Sequence, residues 1–127
     1  MYVWGTSSVG VLGECVPELR EIGNLTLSRS PFDIMAREGR RDEPTQERYF
    51  QAGLSRLRWP DSAHNATPPE LSRAVHFIPL PLDWNDMMPF YQLSGIVLGV
   101  AKELGYEIRW GGYWRSPHDP AHYEIVG

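Results

Sequence analysis

Proline and glycine limit where this chain can build regular structure. Twelve glycines and eleven prolines are spread over 127 residues, and both residue types disfavour the interior of a helix or strand. The elements must therefore be short and joined by many turns. Five Trp, six Tyr and four Phe supply the bulk that a packed interior needs and a disordered chain lacks. At this length the expectation is a single domain over residues 1–127 with one core.

The punctuation divides the chain into candidate elements. Ser7 and Ser8 are candidate caps for a first helix, and Pro17 restarts it ahead of Leu19 and Ile22. Asn24 to Ser30 either continues that helix or leaves it. Pro31 to Ala36 alternates apolar and polar residues at its start and reads as a short strand. A charged loop from Arg37 to Glu43 follows, with Gly39 as its hinge. Pro44 opens a helix whose apolar side carries Tyr49, Phe50 and Leu54, closing near Gly53. Trp59-Pro60 stops regular structure, and a loop runs from Asp61 to Leu71. Ala74 to Ile78 reads as a buried strand. Asp86 is a good cap for the next helix, in which Phe90, Leu93, Val97, Ala101 and Leu104 recur at helical spacing before Gly105. Tyr106 to Trp110 reads as a strand, Gly111-Gly112 as a turn and His122 to Val126 as a last strand. Helices first and strands interspersed later predict an α+β fold, with an antiparallel sheet flanked by helices.

Charge and cysteine content exclude several function classes. A net charge of −4 and a pI near 5.5 argue against nucleic acid as a partner. Arg37, Arg40, Arg41 and Arg48 alternate with Glu38, Asp42, Glu43 and Glu47, so even the basic stretch is nearly balanced. No apolar run reaches membrane-spanning length, and the residues before Val11 lack the basic start of a signal peptide. The single Cys15 rules out an intrachain disulfide and an all-cysteine metal site. Cys15 itself reads as a small buried helix residue. The four His are then the soft metal-binding groups.

Of these, His64 follows Trp59-Pro60 in a loop, His76 lies inside a strand, and His122 starts another. Their separations match no local zinc motif, and taken alone they fit one buried structural His and two surface ones. His118 and His122 stand four apart, but Pro117 and Pro120 disfavour a helical HxxxH pair. The tail adds Asp119, three residues before His122. A Pro-stiffened extended segment can set that carboxylate beside a metal site as a general base. The competing reading is an Asp-Pro turn.

Several runs, taken in order, resemble the phage-type branch of the M15 zinc peptidases. They are Glu38-Gly39-Arg40-Arg41 with Phe50-Gln51-Ala52-Gly53, Arg58 to Asn65, Ser72 to His76, Pro79 to Asp86, Arg109 to Trp114, and Asp119 to Glu124. The resemblance extends from about residue 8 to the C-terminus. It implies a small Hedgehog/DD-peptidase-like fold and a zinc-dependent, endolysin-like peptidase acting on peptidoglycan stem peptides. It also implies Zn2+ held by His64, His76 and His122, Asp119 as catalytic base, and Arg41 as a group that meets substrate charge. For Arg41 a solvated loop charge is the alternative.

Two departures stand out. His76 occupies a slot where the family reads Asp, which replaces an anion by a neutral donor and leaves the site more positive. Tyr113 stands where relatives read Asp. Both favour a second reading, a degenerate member that binds wall peptide without cutting it or serves as a virion part. The expected partner is a peptidoglycan peptide, with the chain monomeric. The resemblance further implies residence in the host cytoplasm before release to the wall, or carriage in the virion.

Overall fold

Pro17, Gly105 and the Asp42 cap fall at the ends of elements, while Gly10, Gly23, Gly95 and Gly99 lie inside helices. The computed structural model describes all 127 residues. In order these form α1 (Thr6–Gly13), α2 (Pro17–Arg29), β1 (Ile34–Arg37), α3 (Glu43–Gln51), β2 (Ala74–Pro79), α4 (Met88–Leu104), β3 (Ile108–Trp110), a 3-10 turn (Gly111–Tyr113) and β4 (His122–Ile125). Pro17 opens α2 in its first turn. The Asp42 carboxylate caps α3 by accepting from the Thr45 N–H at 3.0 Å. Gly105 ends α4 at φ 83°, a left-handed position that glycine takes without a Cβ clash.

Some boundaries differ from the sequence expectation. The α2 helix continues through Arg29. Gly5, rather than Ser7 or Ser8, is the N-cap of α1. The Ser8 hydroxyl instead accepts from the buried Ala36 N–H at 3.0 Å, because β1 is an edge strand and its outward N–H groups need acceptors. Strand β1 begins at Ile34, since a turn in which the Ser30 hydroxyl accepts from the Phe32 N–H at 3.2 Å occupies the preceding residues. Leu54 lies beyond α3 and is exposed, while the helix buries the polar Gln46. Tyr106 is withheld from β3 because its N–H closes α4 onto the Ala101 carbonyl at 2.8 Å. Cys15 is buried between α1 and α2 rather than within a helix.

The fold is α+β, with one antiparallel sheet of order β1-β2-β4-β3. Strand alternation gives the sheet two different faces. Ile34, Ala36, Val75, Phe77 and Tyr123 point to one side. There they join Leu12 of α1, Leu19, Ile22 and Leu27 of α2, and Leu93, Val97, Val100 and Ala101 of α4 in the main core. Each fully buried side chain of this size contributes about 1.5–3 kcal/mol by leaving water. Arg37, His76, His122 and Glu124 take the other face, since Arg37 pairs with His76, and His76 with His122. The start of α4 reaches one end of that face, where Phe90 packs on Ile78 and Ala121, and loops edge the rest around the three His. No helix is long and apolar enough to cross a membrane.

Candidate metal centre

Antiparallel register places the first two site residues. His76 of β2 lies opposite His122 of β4, which sets the two imidazoles side by side with ring centroids 5.6 Å apart. The third imidazole comes from a loop fixed by backbone bonds. The His64 carbonyl accepts from the Arg41 N–H at 2.9 Å, and the Ala63 carbonyl from the Arg73 N–H at 3.0 Å. Inside that loop the Asn65 side chain accepts from the Ser62 N–H at 3.1 Å. His64 is 1% exposed. One ligand atom from each of His64, His76 and His122 falls within 4.8 Å of the others. The structure thus brings together the three His that the sequence singled out, and it leaves His118 exposed.

Hydrogen bonds assign the free nitrogens. His64 Nδ1 lies 2.9 Å from the Gly39 carbonyl, which only accepts, so Nδ1 carries the hydrogen and Nε2 keeps its lone pair. His122 Nε2 donates to Glu124 Oε1 at 2.7 Å, leaving its Nδ1 lone pair free. The two free nitrogens, His64 Nε2 and His122 Nδ1, face each other at 3.3 Å. His76 Nε2 is buried without a hydrogen-bond partner, and Asp119 Oδ2 lies 3.4 Å from it. Acceptors converging on one point are relieved by a shared cation, and three imidazoles suit zinc. Burial first, then the neighbouring His76 and His122, pushes the His64 imidazole well below its usual pKa. His64 is therefore neutral at neutral pH, the form that ligates. By chemistry and placement the residues fit a zinc ion.

Asp119 is held at the site by its backbone. Its N–H donates to the Gly111 carbonyl at 3.1 Å and its carbonyl accepts from the His122 N–H at 3.2 Å. A Cβ on Gly111 would stand 2.3 Å from the Asp119 carbonyl oxygen, so only glycine allows this close approach. Burial alone would raise the Asp119 carboxyl, but His76, His122 and the Ala121 N–H together outweigh it and hold the group below its usual value. A cleft of about 520 Å³ opens over His64, Asp119 and His122, with Trp114 and Arg109 on its walls. The Trp114 ring packs 4.8 Å from that of His122.

Arg41 also borders this cleft, but as a buried cation within a network. Its Nε donates to Glu38 Oε1 at 2.7 Å and its Nη1 to Gln46 Oε1 at 2.8 Å. Nη2 lies 2.6 Å from Glu38, and the guanidinium rests 4.4 Å above the Tyr49 ring. The picture of a solvated loop charge is thereby excluded. Tyr113 is 74% exposed, with its ring edge-on to Trp110 at 5.0 Å. Cys15 has no place in the site, and burial above all pushes its thiol up to about 12, which keeps it unreactive.

Sequence reasoning gave no site role to Glu124 or Glu38. Glu124 carried a usable signal, because a residue two beyond His122 on a strand shares its face. Glu38 carried none, since it adopts a left-handed φ of 54° that periodicity does not anticipate for a non-glycine residue.

Comparison with known proteins places this geometry. A family model described as phage L-alanyl-D-glutamate peptidase matches residues 1–125. The chain belongs to that family. It is 27% identical over 139 aligned residues to the L-alanyl-D-glutamate peptidase of Escherichia phage T5, covering 98% of each protein. Its fold is also that of the L-Ala D-Glu endopeptidase ChiX of Serratia marcescens, with a TM-score of 0.82 and 24% identity over 98% of this chain and 90% of that one. In this phage peptidase family member, segments far apart in sequence meet around the three His. They are Glu38 to Arg41, the His64 loop, the His76 strand and the Asp119 to Glu124 ending.

Proposed function

We propose that this chain is a zinc-dependent peptidase that hydrolyses peptidoglycan stem peptides at the L-alanyl-D-glutamate bond for which its family is named. The observation that carries this reading is the convergence of three imidazole donors, within 4.8 Å of one another, beside the carboxylate of Asp119 on an open cleft. His64, His76 and His122 would hold the ion, a three-His donor set of the catalytic kind. Zinc bound there supplies Lewis acidity toward a carbonyl and activation of a water.

The remaining roles fall to the chain's own side chains. Asp119, ionised at neutral pH and partly open to the cleft, accepts a proton as general base and returns it to the departing amine. Arg41 keeps N–H groups beyond those bound by Glu38 and Gln46, and its fixed positive charge favours substrate anions and a developing oxyanion. Trp114 and the Arg109 strand wall the cleft and limit water around the scissile bond. Such an enzyme fits synthesis in a host cytoplasm before release to the wall, or carriage in a virion.

The test is release of new amino groups from purified peptidoglycan by zinc-loaded protein. Release is expected from neutral to mildly alkaline pH and should stop on chelation. Protein that retains wall peptide yet liberates no amino groups across that range contradicts hydrolysis and supports the binding-only alternative that His76 first suggested.

A further inference from the structure

The third imidazole differs from the other two in its support. His64 is oriented by a backbone carbonyl and His122 by Glu124, both at hydrogen-bond distance. The partner of His76 Nδ1 is Glu38 Oε2 at 3.6 Å, in a pair whose side chains are 16% and 20% exposed. The other oxygen of the same carboxylate, Oε1, accepts from Arg41 Nε at 2.7 Å. Glu38 meets the two partners with its two carboxylate oxygens, and its backbone sits at φ 54°. A non-glycine residue holds that conformation only when its surroundings enforce it, and such residues concentrate at functional sites.

We propose that Glu38 is the positioning residue for His76, and that the two act as one carboxylate–imidazole unit in the slot where the family reads a lone Asp. Glu38 Oε2, at ion-pair rather than hydrogen-bond distance, attracts the Nδ1–H of His76. It favours the tautomer whose Nε2 lone pair faces the other two imidazoles, against the opposing pull of Asp119 Oδ2 at 3.4 Å from Nε2. Carboxylates placed behind metal-bound imidazoles fix ring orientation and raise ligand basicity in this way. The unit also returns, one ring further from the centre, the negative charge that an Asp ligand would have carried. Because Oε1 binds Arg41, one side chain links the third imidazole to the cation on the cleft wall. The inference rests on the proposed zinc site for its purpose, although the Glu38–His76 contact is independent of metal.

A double-mutant cycle tests it, with zinc affinity read by chelator competition and the ring read by long-range proton–nitrogen NMR of metal-free protein. In the parent, the His76 ring is expected as the Nδ1–H tautomer. Glu38→Gln keeps the shape and lowers the charge. It is expected to mix the tautomers and weaken zinc about 10- to 100-fold. In a His76→Asp background, which has no ring to hold, Glu38→Gln should change zinc affinity less than about two-fold. Equal losses in both backgrounds, or a parent ring protonated on Nε2, overturn the proposal. A Glu38 that acted only through Arg41 would alter KM and leave zinc affinity and tautomer unmoved. Should the parent hold no zinc while its ring is the Nδ1–H form, the peptidase reading fails and the positioning contact stands.

Discussion

The two faces of the sheet are built by the same strands and obey different rules. On the helix face, Phe77 of β2 packs against Tyr123 of β4 with ring centroids 5.7 Å apart, and the surrounding contacts are apolar. One residue earlier on each strand, His76 and His122 lie side by side on the opposite face. There the contacts are polar, directional and incomplete, with His76 Nε2 left unpartnered. The difference teaches that stability and chemistry are separated by a single step of register. The helix face is held by apolar burial and leaves only the isolated Thr26 and Tyr123 hydroxyls without partners. The loop face gathers lone pairs and carboxylates whose mutual arrangement makes sense around a cation.

This contrast can be broken by substitutions on either side, and the largest effect should come from the loop face. Asp119→Asn should lower the rate of peptidoglycan cleavage about 10²- to 10⁴-fold, the usual contribution of a general base. Its thermal midpoint and zinc content should stay near those of the parent. An equally large fall in stability would mean that Asp119 supports the fold rather than the reaction. Phe77→Ala should do the reverse, costing about 3–5 kcal/mol in denaturant unfolding through the cavity left between helices and sheet. The fraction that remains folded should still bind zinc, so loss of zinc from folded protein would undo the separation of the two faces. A smaller effect is expected at the hinge between them. Gly111→Ala forces a Cβ toward the Asp119 carbonyl and the His122 side chain. The displaced loop should cost roughly 10²-fold in cleavage with most of the helical circular dichroism retained. Parent-like cleavage would show that the loop tolerates movement.

How much of this was legible in the sequence depended on the kind of physics involved. Helix α4 was readable because its apolar residues recur every three to four positions and Gly105 stops them. Strands β2 and β4 were readable because strand-forming residues surround His76 and His122. Once those strands pair, two of the three imidazoles are placed. The family resemblance, rather than spacing, joined His64 to them, since a loop held by backbone bonds to Arg41 and Arg73 leaves no periodic trace. Polar burial was the hardest to foresee. Gln46, which joins Arg41, Ser55, the Leu57 carbonyl and Asn65, sits in a helix read as burying Tyr49, Phe50 and Leu54. Its burial is driven by hydrogen bonds that no hydrophobicity pattern records. Glu38 was invisible for a related reason, because its role depends on a left-handed backbone angle and on His76, a partner far along the chain that folding brings to it.

Elemental analysis of purified protein, equilibrated with zinc and freed of excess ion, is the most direct check on the loop face. The site described predicts one zinc per chain, lost when His64, His76 or His122 is singly replaced by Ala in protein that remains folded. Parent protein that keeps no zinc, or a His76→Ala variant that keeps it with undiminished affinity, would contradict the three-imidazole centre.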